Sequence, residues 1–407
     1  MHIGFASPFV PQELTDLLDC ESRKKVAQVV GVWATPVTAL VRELHKRGHG
    51  ITVFALDPGA KEKLRLAGER LVVHVLPARP LRKCVLDVYL AERRLLREAI
   101  LAERPEVISA QWTREHALGA LSTGFPTAVT CHDTPLRYAW ISKGIFMWYH
   151  LPIAWWVIRK AALLICVSPY TAQHIKRFFW PRAPVEVIPN GLPPEVFERG
   201  ARRLARGRAV SGAPFTFCSV GRWGRMKNIA ALLEAFARVR RARPDTRLVL
   251  FGPGLGPAEA AEQWARSRGL DQSVEFRGSA SREKILDFLE AEADMMVHPS
   301  LVETHGMTII EAMACGVPVV GGLKSGAVPW TLEHGRCGYL CDVTDPDSIA
   351  RTMLEAMSRG PANAELAQRA YESVRNRFPI ESVAEAYERI FARLARGGAC
   401  GAARSAH

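Results

Sequence analysis

The sequence predicts an α/β protein with two domains, each built on a parallel β-sheet covered by helices. Short apolar runs bounded by turn residues alternate with helical patterns along the chain, which is typical of doubly wound sheets. A length of 407 residues favours two domains over one core. The stretch 192–213 is rich in Pro, Arg and Gly and poor in periodicity, so we predict a linker there.

The first domain is predicted to span residues 1–191. Its strands are expected at seven apolar runs: HIGFAS, GITVFAL, LVVHVL, EVISA, TAVTC, ALLICVS and VEVIPN. Between the first two runs, PVTALVRELHKRGH places Val37, Leu40, Val41 and Leu44 on one helical face, and Arg-Gly-His is a natural helix stop.

The second domain is predicted to span residues 214–375, with strands at FTFCSVG, TRLVLFG, SVEFRG, DMMVHPS, VPVVGG and GYLCDV. A terminal helix over 376–396 is expected to pack back on the first domain, and residues 397–407 are expected to be disordered because of their low complexity. Two such domains would enclose a cleft, with ligands bound beyond the carboxyl ends of the strands.

Charge and cysteine content limit the functional class. The formal net charge is +13, and residues 1–190 supply +9 of it, from 25 Lys and Arg against 16 Asp and Glu. Such a basic half attracts anions, but no zinc-finger, leucine-zipper or RNA-recognition pattern indicates a nucleic acid. Nine scattered cysteines indicate reduced thiols and a cytoplasmic location. Cys337 and Cys341 lack a second pair to complete a zinc site, so no metal is expected.

One aromatic segment has two interpretations. Gly144 to Lys160, GIFMWYHLPIAWWVIRK, is too short and too interrupted to span a membrane. Its Phe and Trp residues beside Arg159 and Lys160 resemble a segment that lies on an anionic bilayer, which suggests work at the inner membrane face. A buried helix under an acceptor cleft is the alternative.

Two glutamates eight positions apart suggest a ligand that carries hydroxyls on both sides of a phosphate. A helix is expected from Met307 to Cys315, with Gly316 as its C-cap. The free amides of Gly306, Met307 and Thr308 would then favour a phosphate. Because like charges repel, the flanking Glu303 and Glu311 would bind hydroxyls, as in a sugar nucleotide. The alternative is that Glu303 is a solvated loop residue and Glu311 a charge on the helix surface, with no ligand.

Two cations lie in the loop after the first strand of the second domain. FCSVGRWGRMKN ends its strand at Gly221, with Arg222 next and Lys227 just before a helix. Cations at a strand-to-helix loop can neutralise a leaving diphosphate. Arg and Lys in loops are usually solvated, so these two cations alone are weak evidence for a diphosphate site. The paired glutamates in the same domain strengthen it.

These motifs resemble family four of the retaining glycosyltransferases, which has the GT-B fold. The resemblance rests on Glu303 to Glu311 with AMACGVPVV, on GRWGRMKN, FGPG and VEFRGSASREKILDFL, and on TCHD, CVSPYTAQHI and VEVIPNGLPPEVF. It implies transfer of a hexose, with retained configuration and no required metal or cofactor, from a nucleoside diphosphate sugar to a saccharide or lipid-linked acceptor in polysaccharide biosynthesis. A sugar-nucleotide epimerase, a phosphorylase and a non-catalytic sugar-nucleotide-binding protein are the alternatives.

The resemblance also implies residue roles. Arg222 and Lys227 would grip the diphosphate, Glu311 the ribose, and Glu303 the transferred sugar. His132 of TCHD would lie on the acceptor side, near that sugar. The catalytic set is His132, Glu303, Arg222 and Lys227. The donor-binding set is Gly31, Arg222, Lys227, Gly252, Arg277, Gly306, Met307, Thr308 and Glu311. A buried structural histidine is the alternative for His132, and ordinary turn chemistry for Gly31.

Three departures from the family pattern leave the donor sugar open. One glycine stands in GVWATP where two are common, Thr304-His305 replaces a common Phe before the central glycine, and Pro329-Trp330 replaces a common Pro-Glu.

Overall fold

The computed structural model describes residues 1–32, 34–207 and 214–404. It divides the chain into two compact units. The first unit comprises Met1–Gly191 together with Ile380–His407, and the second comprises Leu192–Pro379.

The first unit contains an eight-stranded sheet. Its strands are β1 (His2–Ala6), β2 (Gly50–Asp57), β3 (Leu64–Gly68), β4 (Leu71–Pro77), β5 (Val107–Gln111), β6 (Thr127–Cys131), β7 (Leu163–Cys166) and β8 (Val185–Val187). The order is β3-β4-β2-β1-β5-β6-β7-β8, and only β3, which pairs with β4, is antiparallel. All seven runs expected as strands are strands. Only β3 was missed, because its half-exposed LRLAG lacks a continuous apolar run.

Helices cover both faces of this sheet. They are α1 (Cys20–Val26), α2 (Thr35–Lys46), α3 (Leu81–Leu86), α4 (Leu90–Glu103), α5 (Glu115–Leu121), α6 (Pro135–Ser142), α7 (Ile145–Lys160), α8 (Pro169–Phe179) and α17 (Ile380–Arg404), with a 3₁₀ segment at Pro11–Leu17. Successive residues of β2 enter different apolar clusters, Val53 on one face and Phe54 on the other. This alternation follows from the two-residue period of a strand.

The last helix belongs to the core of the first unit. Tyr387 and Phe391 of α17 are buried, and the Phe391 ring meets Phe5 edge-on at 6.4 Å between centroids. The terminal helix runs from Ile380 to Arg404 rather than over 376–396, because Pro379 separates it from α16. The expected disorder from residue 397 is therefore wrong for the backbone of 397–404, while residues 405–407 lie outside the described part of the chain and their disorder stays a prediction.

The second unit contains a six-stranded, all-parallel sheet. Its strands are β9 (Phe215–Val220), β10 (Thr246–Phe251), β11 (Val274–Gly278), β12 (Met295–His298), β13 (Val319–Gly322) and β14 (Tyr339–Cys341), in the order β11-β10-β9-β12-β13-β14. All six were expected. Its helices are α9 (Pro194–Arg206), α10 (Ile229–Ala242), α11 (Ala260–Arg266), α12 (Arg282–Ala291), α13 (Met307–Ala314), α14 (Val328–Thr331), α15 (Pro346–Ser358) and α16 (Pro361–Arg377), with a 3₁₀ turn at Glu333–Gly335.

The irregular linker expected at 192–213 is wrong for residues 194–206, which form α9. Val196, Phe197 and Gly200 are buried at helical spacing, and a Cβ at Gly200 would lie 1.9 Å from the Ala314 carbonyl oxygen. Glycine therefore lets α9 approach the end of α13 closely. Arg203 donates to the carbonyls of Gly316, Leu289, Glu290 and Ala293, at or just beyond the ends of α12 and α13. Residues 208–213 lie outside the described residues.

Candidate functional site

The candidate site of the second unit lies at the topological switch point of its sheet. From β9 the chain moves to β10 and β11 on one side, and β12 follows on the other side. Ligands bind in such sheets outside the carboxyl ends of the strands at which the order reverses. The loop after β9 carries Arg222 and Lys227, and the loop after β12 carries Glu303. The fold thus brings together the two loops that the sequence singled out.

Lys227 and Glu303 form an ion pair across these two loops, on Oε1 of the glutamate. His298, the last residue of β12, places Nε2 2.9 Å from the same Oε1. Because a carboxylate only accepts, Nε2 carries a hydrogen, and Nδ1 lies within hydrogen-bonding distance of the Thr308 hydroxyl, at 3.3 Å. The result is a connected chain of four side chains, from the β9 loop to the first turn of α13.

Glu303 is buried and ionised. Burial alone would raise the pKa of its carboxyl, but the charge of Lys227 and the hydrogen bond from His298 outweigh burial and hold this pKa well below its usual range. Both contacts fall on Oε1. Among the described residues Oε2 accepts no hydrogen bond, so this oxygen can accept one from a ligand hydroxyl.

Backbone pairing fixes the loop that carries Glu303. Its amide donates to the Ser325 carbonyl at 3.2 Å, and its carbonyl accepts from Ala327 at 2.8 Å. The loop then enters α13 through Gly306, whose φ of 84° favours glycine. In the described part of the chain, the amides of Gly306, Met307 and Thr308 have no acceptor. The helix start therefore offers donors and a positive dipole end to an anion.

Glu311 lies one turn into α13, as expected, but it has a partner that the sequence analysis missed. Arg282, the first residue of α12, donates from Nε to Oε1 of Glu311 at 2.7 Å. Both side chains are largely buried. The guanidinium holds the carboxylate in one orientation, which a solvated glutamate would lack.

Arg222 and Gly252 lie on two adjacent loops. Arg222 is exposed and makes no ion pair with any described residue, so its guanidinium is available to a ligand. A Cβ on Gly252, whose φ is 130°, would lie 1.8 Å from the Gly221 carbonyl oxygen. Glycine at this position lets the loops after β9 and β10 pack back to back.

Arg277 is the penultimate residue of β11, the edge strand two positions from β9. Its guanidinium donates to Glu275 at 2.9 Å and lies 4.9 Å from the centre of the Phe288 ring. The place of Arg277 in the donor-binding set stays a prediction.

The two departures from the family pattern in this unit meet in space. The His305 ring lies 5.9 Å from Trp330 and 5.0 Å from Phe378, and the Thr331 hydroxyl donates to the His305 carbonyl at 2.9 Å. Arg377 covers the Trp330 ring at 4.6 Å. His305 and Trp330, which replace the common family residues, therefore belong to one aromatic cluster with Phe378.

His132 of the first unit follows β6. Its Nε2 lies 2.6 Å from the Gln111 side-chain oxygen, and its ring packs on Trp112 at 4.2 Å. Burial lowers the pKa of His132 to about 3, so the ring is neutral at pH 7. A small recess beside it is lined by residues that include Asn190 and Tyr387.

Gly31 has a φ of 71°, and its amide donates to Asp57 Oδ2 at 3.2 Å. The Val30 amide donates to the same oxygen at 2.9 Å. The loop is therefore tied to the end of β2, and the amide of Gly31 is already occupied. Its neighbour Trp33, part of the GVWATP departure, lies outside the described residues.

Sequence reasoning missed His298, Arg282, Asp57 and Gln111. Asp57, Gln111 and His298 share one signal, which is a polar residue that ends a buried strand of a parallel sheet. Strand ends at the carboxyl edge are where such sheets place functional groups. Arg282 has no comparable local signal, because only the packing of α12 beside α13 brings it to Glu311.

Two further observations bear on the membrane and metal expectations. Within residues 1–32, 34–207 and 214–404, no helix combines the length and apolarity needed to cross a membrane. The same residues contain no group of three or more His, Cys, Asp or Glu arranged to hold a metal ion. The expectation that no metal takes part stays a prediction.

Solved structures resemble this chain over nearly its whole length. Sucrose-phosphate synthase from Thermosynechococcus elongatus has a TM-score of 0.79 at 20% identity, and 97% of this chain and 99% of that one are covered. Anabaena HepE, solved in complex with UDP-glucose, has a TM-score of 0.68 at 19% identity, with 97% and 100% covered. The expected GT-B fold is confirmed.

Comparison with family models identifies the chain as a glycosyltransferase. The model described as Glycosyltransferase Family 4 matches residues 34–196, and the model described as Glycosyl transferases group 1 matches residues 204–373. The chain belongs to this glycosyltransferase family.

Curated relatives agree with the family at lower coverage. N-acetyl-alpha-D-glucosaminyl L-malate synthase of Bacillus anthracis is 26% identical over 58% of this chain and 60% of its own length. GDP-mannose-dependent alpha-(1-6)-phosphatidylinositol monomannoside mannosyltransferase of Mycolicibacterium smegmatis is 33% identical over 50% of this chain and 56% of its own length. The matches thus span somewhat more than half the length of these two relatives.

Proposed function

We propose that this protein transfers a hexose from a nucleoside diphosphate sugar to an acceptor hydroxyl with retention of configuration. The observation that carries the proposal is the ion pair of Lys227 with the buried Glu303 at the strand switch point, beside the α13 amides that have no acceptor among the described residues. The family and the names of its relatives support the reaction class.

The leaving diphosphate is held by positive groups from two loops. The amides of Gly306 to Thr308 and the unpaired Arg222 bind its oxygens, and Lys227 lies beside the charge that develops as the bond breaks. The bond from the sugar C1 to the phosphate oxygen breaks, and the bond from C1 to the acceptor oxygen forms on the same face. The acceptor proton passes to the departing phosphate oxygen.

Two carboxylates orient the donor. Glu303 accepts a hydrogen bond from a sugar hydroxyl at Oε2, while Lys227 and His298 hold Oε1. Glu311, held by Arg282, binds the ribose diol. His132 serves on the acceptor side as a neutral hydrogen-bonding group, since burial lowers its pKa to about 3.

The acceptor is a saccharide or a lipid-linked glycan of the cell envelope, and the protein works in the cytoplasm at the inner face of the membrane. The Mycolicibacterium relative, a phosphatidylinositol monomannoside mannosyltransferase by name, supports a lipid-linked acceptor.

A melting-temperature screen of UDP-, GDP- and ADP-sugars identifies the donor, because a ligand that binds only the native state raises the melting temperature. The HepE complex makes UDP-sugars the first choice. Labelled donor with and without acceptor then separates transfer from epimerisation, since an epimerase rearranges the sugar without an acceptor.

Replacing Arg222 and Lys227 together by alanine is expected to lower turnover on the order of a thousandfold, because fixed positive groups no longer face the developing anion. Arg222→Ala alone is informative if the double variant unfolds, since Arg222 is exposed. Arg225→Ala, an exposed change in the same loop, is the matched control. Turnover of the folded double variant within about tenfold of the parent would contradict the proposal.

A further inference from the structure

Helix α7 exposes an apolar face. Its residues His150, Ile153, Ala154, Val157 and Ile158 are buried, so one side packs on the first unit. The other side carries Ile145, 78% exposed, and Trp148, Trp155 and Trp156, each 37–43% exposed. Ile145 and Trp148 are one turn apart, Trp155 lies two turns after Trp148 and Trp156 follows it, so at 3.6 residues per turn all four share one stripe. The stripe excludes a fully buried helix.

Neighbouring elements extend this face. Trp140 on α6, which packs against α7, is 66% exposed, and Trp180 just after α8 is 64% exposed. Arg159 of α7 donates to the Trp180 carbonyl at 3.0 Å and covers the Trp155 ring at 4.9 Å, which joins the two elements. We call Trp140, Ile145, Trp148, Trp155, Trp156 and Trp180 the aromatic surface. Single exposed apolar residues are ordinary, but a cluster of this kind indicates an interaction site.

The segment that carries the aromatic surface has charges of one sign. Residues 134–185 contain seven cations, namely Arg137, Lys143, Arg159, Lys160, Lys176, Arg177 and Arg182. The same 52 residues contain no aspartate or glutamate. Tryptophan beside lysine and arginine is the composition that proteins place at the headgroup level of membranes. A basic surface is attracted to anionic lipids and repels a second basic copy of itself.

We propose that the aromatic surface docks the protein on a bilayer that contains anionic lipid. Tryptophan rings enter the headgroup region, while Lys160 and Lys176 contact lipid phosphates. The surface begins at Trp140, eight residues after His132 and on the helix that follows the His132 loop, so docking would turn the acceptor side of the first unit towards the lipid. The role of docking in bringing the acceptor side to the lipid rests on the proposed function, whereas membrane binding itself does not require catalysis.

Vesicle flotation of the full chain tests the proposal. Without sugar substrates, the protein is expected to float with phosphatidylcholine vesicles that contain phosphatidylglycerol, and on the order of tenfold less with phosphatidylcholine alone, because the cations lose their partners. Added salt should weaken binding to the anionic vesicles. Trp155→Ser with Trp156→Ser, and separately Lys160→Glu with Lys176→Glu, should each reduce flotation about tenfold.

The matched control replaces two cations by glutamate at a distant place in the chain. Lys284→Glu with Arg375→Glu alters two exposed cations of the second unit and should leave flotation unchanged. Failure of the parent protein to float at low salt would overturn the proposal, whatever the outcome of the transfer assay. So would a stable dimer that the Trp155 and Trp156 changes abolish, because a second copy would then cover the face. Circular dichroism melts of each variant, compared with the parent protein, check that the first unit, which carries the changes, stays folded.

Discussion

Glu303 owes its ionised state to its neighbours rather than to solvent. A carboxylate this buried would take up a proton if it stood alone. Lys227 and His298 both bind its Oε1, so the charge persists and the second oxygen stays available to a ligand. Removing Lys227 would leave the buried Glu303 carboxylate with His298 as its remaining partner, so variants of Lys227 need a melting control.

Arg282 is a positioning residue for Glu311. In Arg282→Gln the carboxylate loses a charged partner, so we expect the KM for the donor to rise on the order of tenfold, with kcat changed little. Steady-state kinetics at varied donor concentration measures this split. Lys284→Gln, an exposed change on the same helix, is the control. A fall in kcat at unchanged KM would show that Arg282 acts in the chemical step instead.

At the level of elements, strand ends and one helix start create the site. Strands buried on both faces appear in sequence as continuous apolar runs, so every expected strand was found. Antiparallel β3 lies at the edge, where the pattern is weaker. Helix α9 was mistaken for a linker because its arginines look like a solvated stretch. Arg203 instead donates to carbonyls near the ends of α12 and α13, a partnership that only folding reveals.

The start of α13 depends on glycine at position 306. In Gly306→Ala the alanine would keep a backbone φ of 84°, and its Cβ would lie 3.0 Å from the Ile309 side chain. We expect this strain to lower the free energy of unfolding by about 1 kcal/mol. The shifted amides should also raise the donor KM. Gly269→Ala, with a φ of 64° and open space around the new Cβ, should show the strain alone. Thermal melts and donor kinetics compare the two, and equal donor KM values in both would contradict an anion site at this helix start.

At the level of the whole molecule, the two units differ in chain continuity. The first unit needs α17, which returns after the second unit has been completed and buries Tyr387 and Phe391 in the first core. The second unit is one continuous segment, Leu192–Pro379, with its own apolar clusters and all the residues of the candidate donor site except Gly31.

Residues 192–379 expressed alone are therefore expected to fold and to bind the nucleoside diphosphate within about tenfold of the full chain's affinity, because Lys227, Glu303 and Glu311 remain in place. Isothermal titration calorimetry measures the affinity, and circular dichroism checks the fold. The Glu311→Ala form of the same fragment is the control and should bind more weakly. A folded fragment with no detectable affinity would assign donor binding to groups outside the second unit.

The sequence by itself determined the fold class, the strands and the loops that carry charge, because apolar period, glycine position and residue type are local properties. Only the tertiary structure decided the partners: Lys227 with Glu303, Arg282 with Glu311, Asp57 with the Gly31 loop, and the exposure of one face of α7. Each of these depends on which distant segments meet. Pairing across dozens of residues leaves no trace in local periodicity, since a charge that finds a buried partner and one that stays in solvent look the same along the chain.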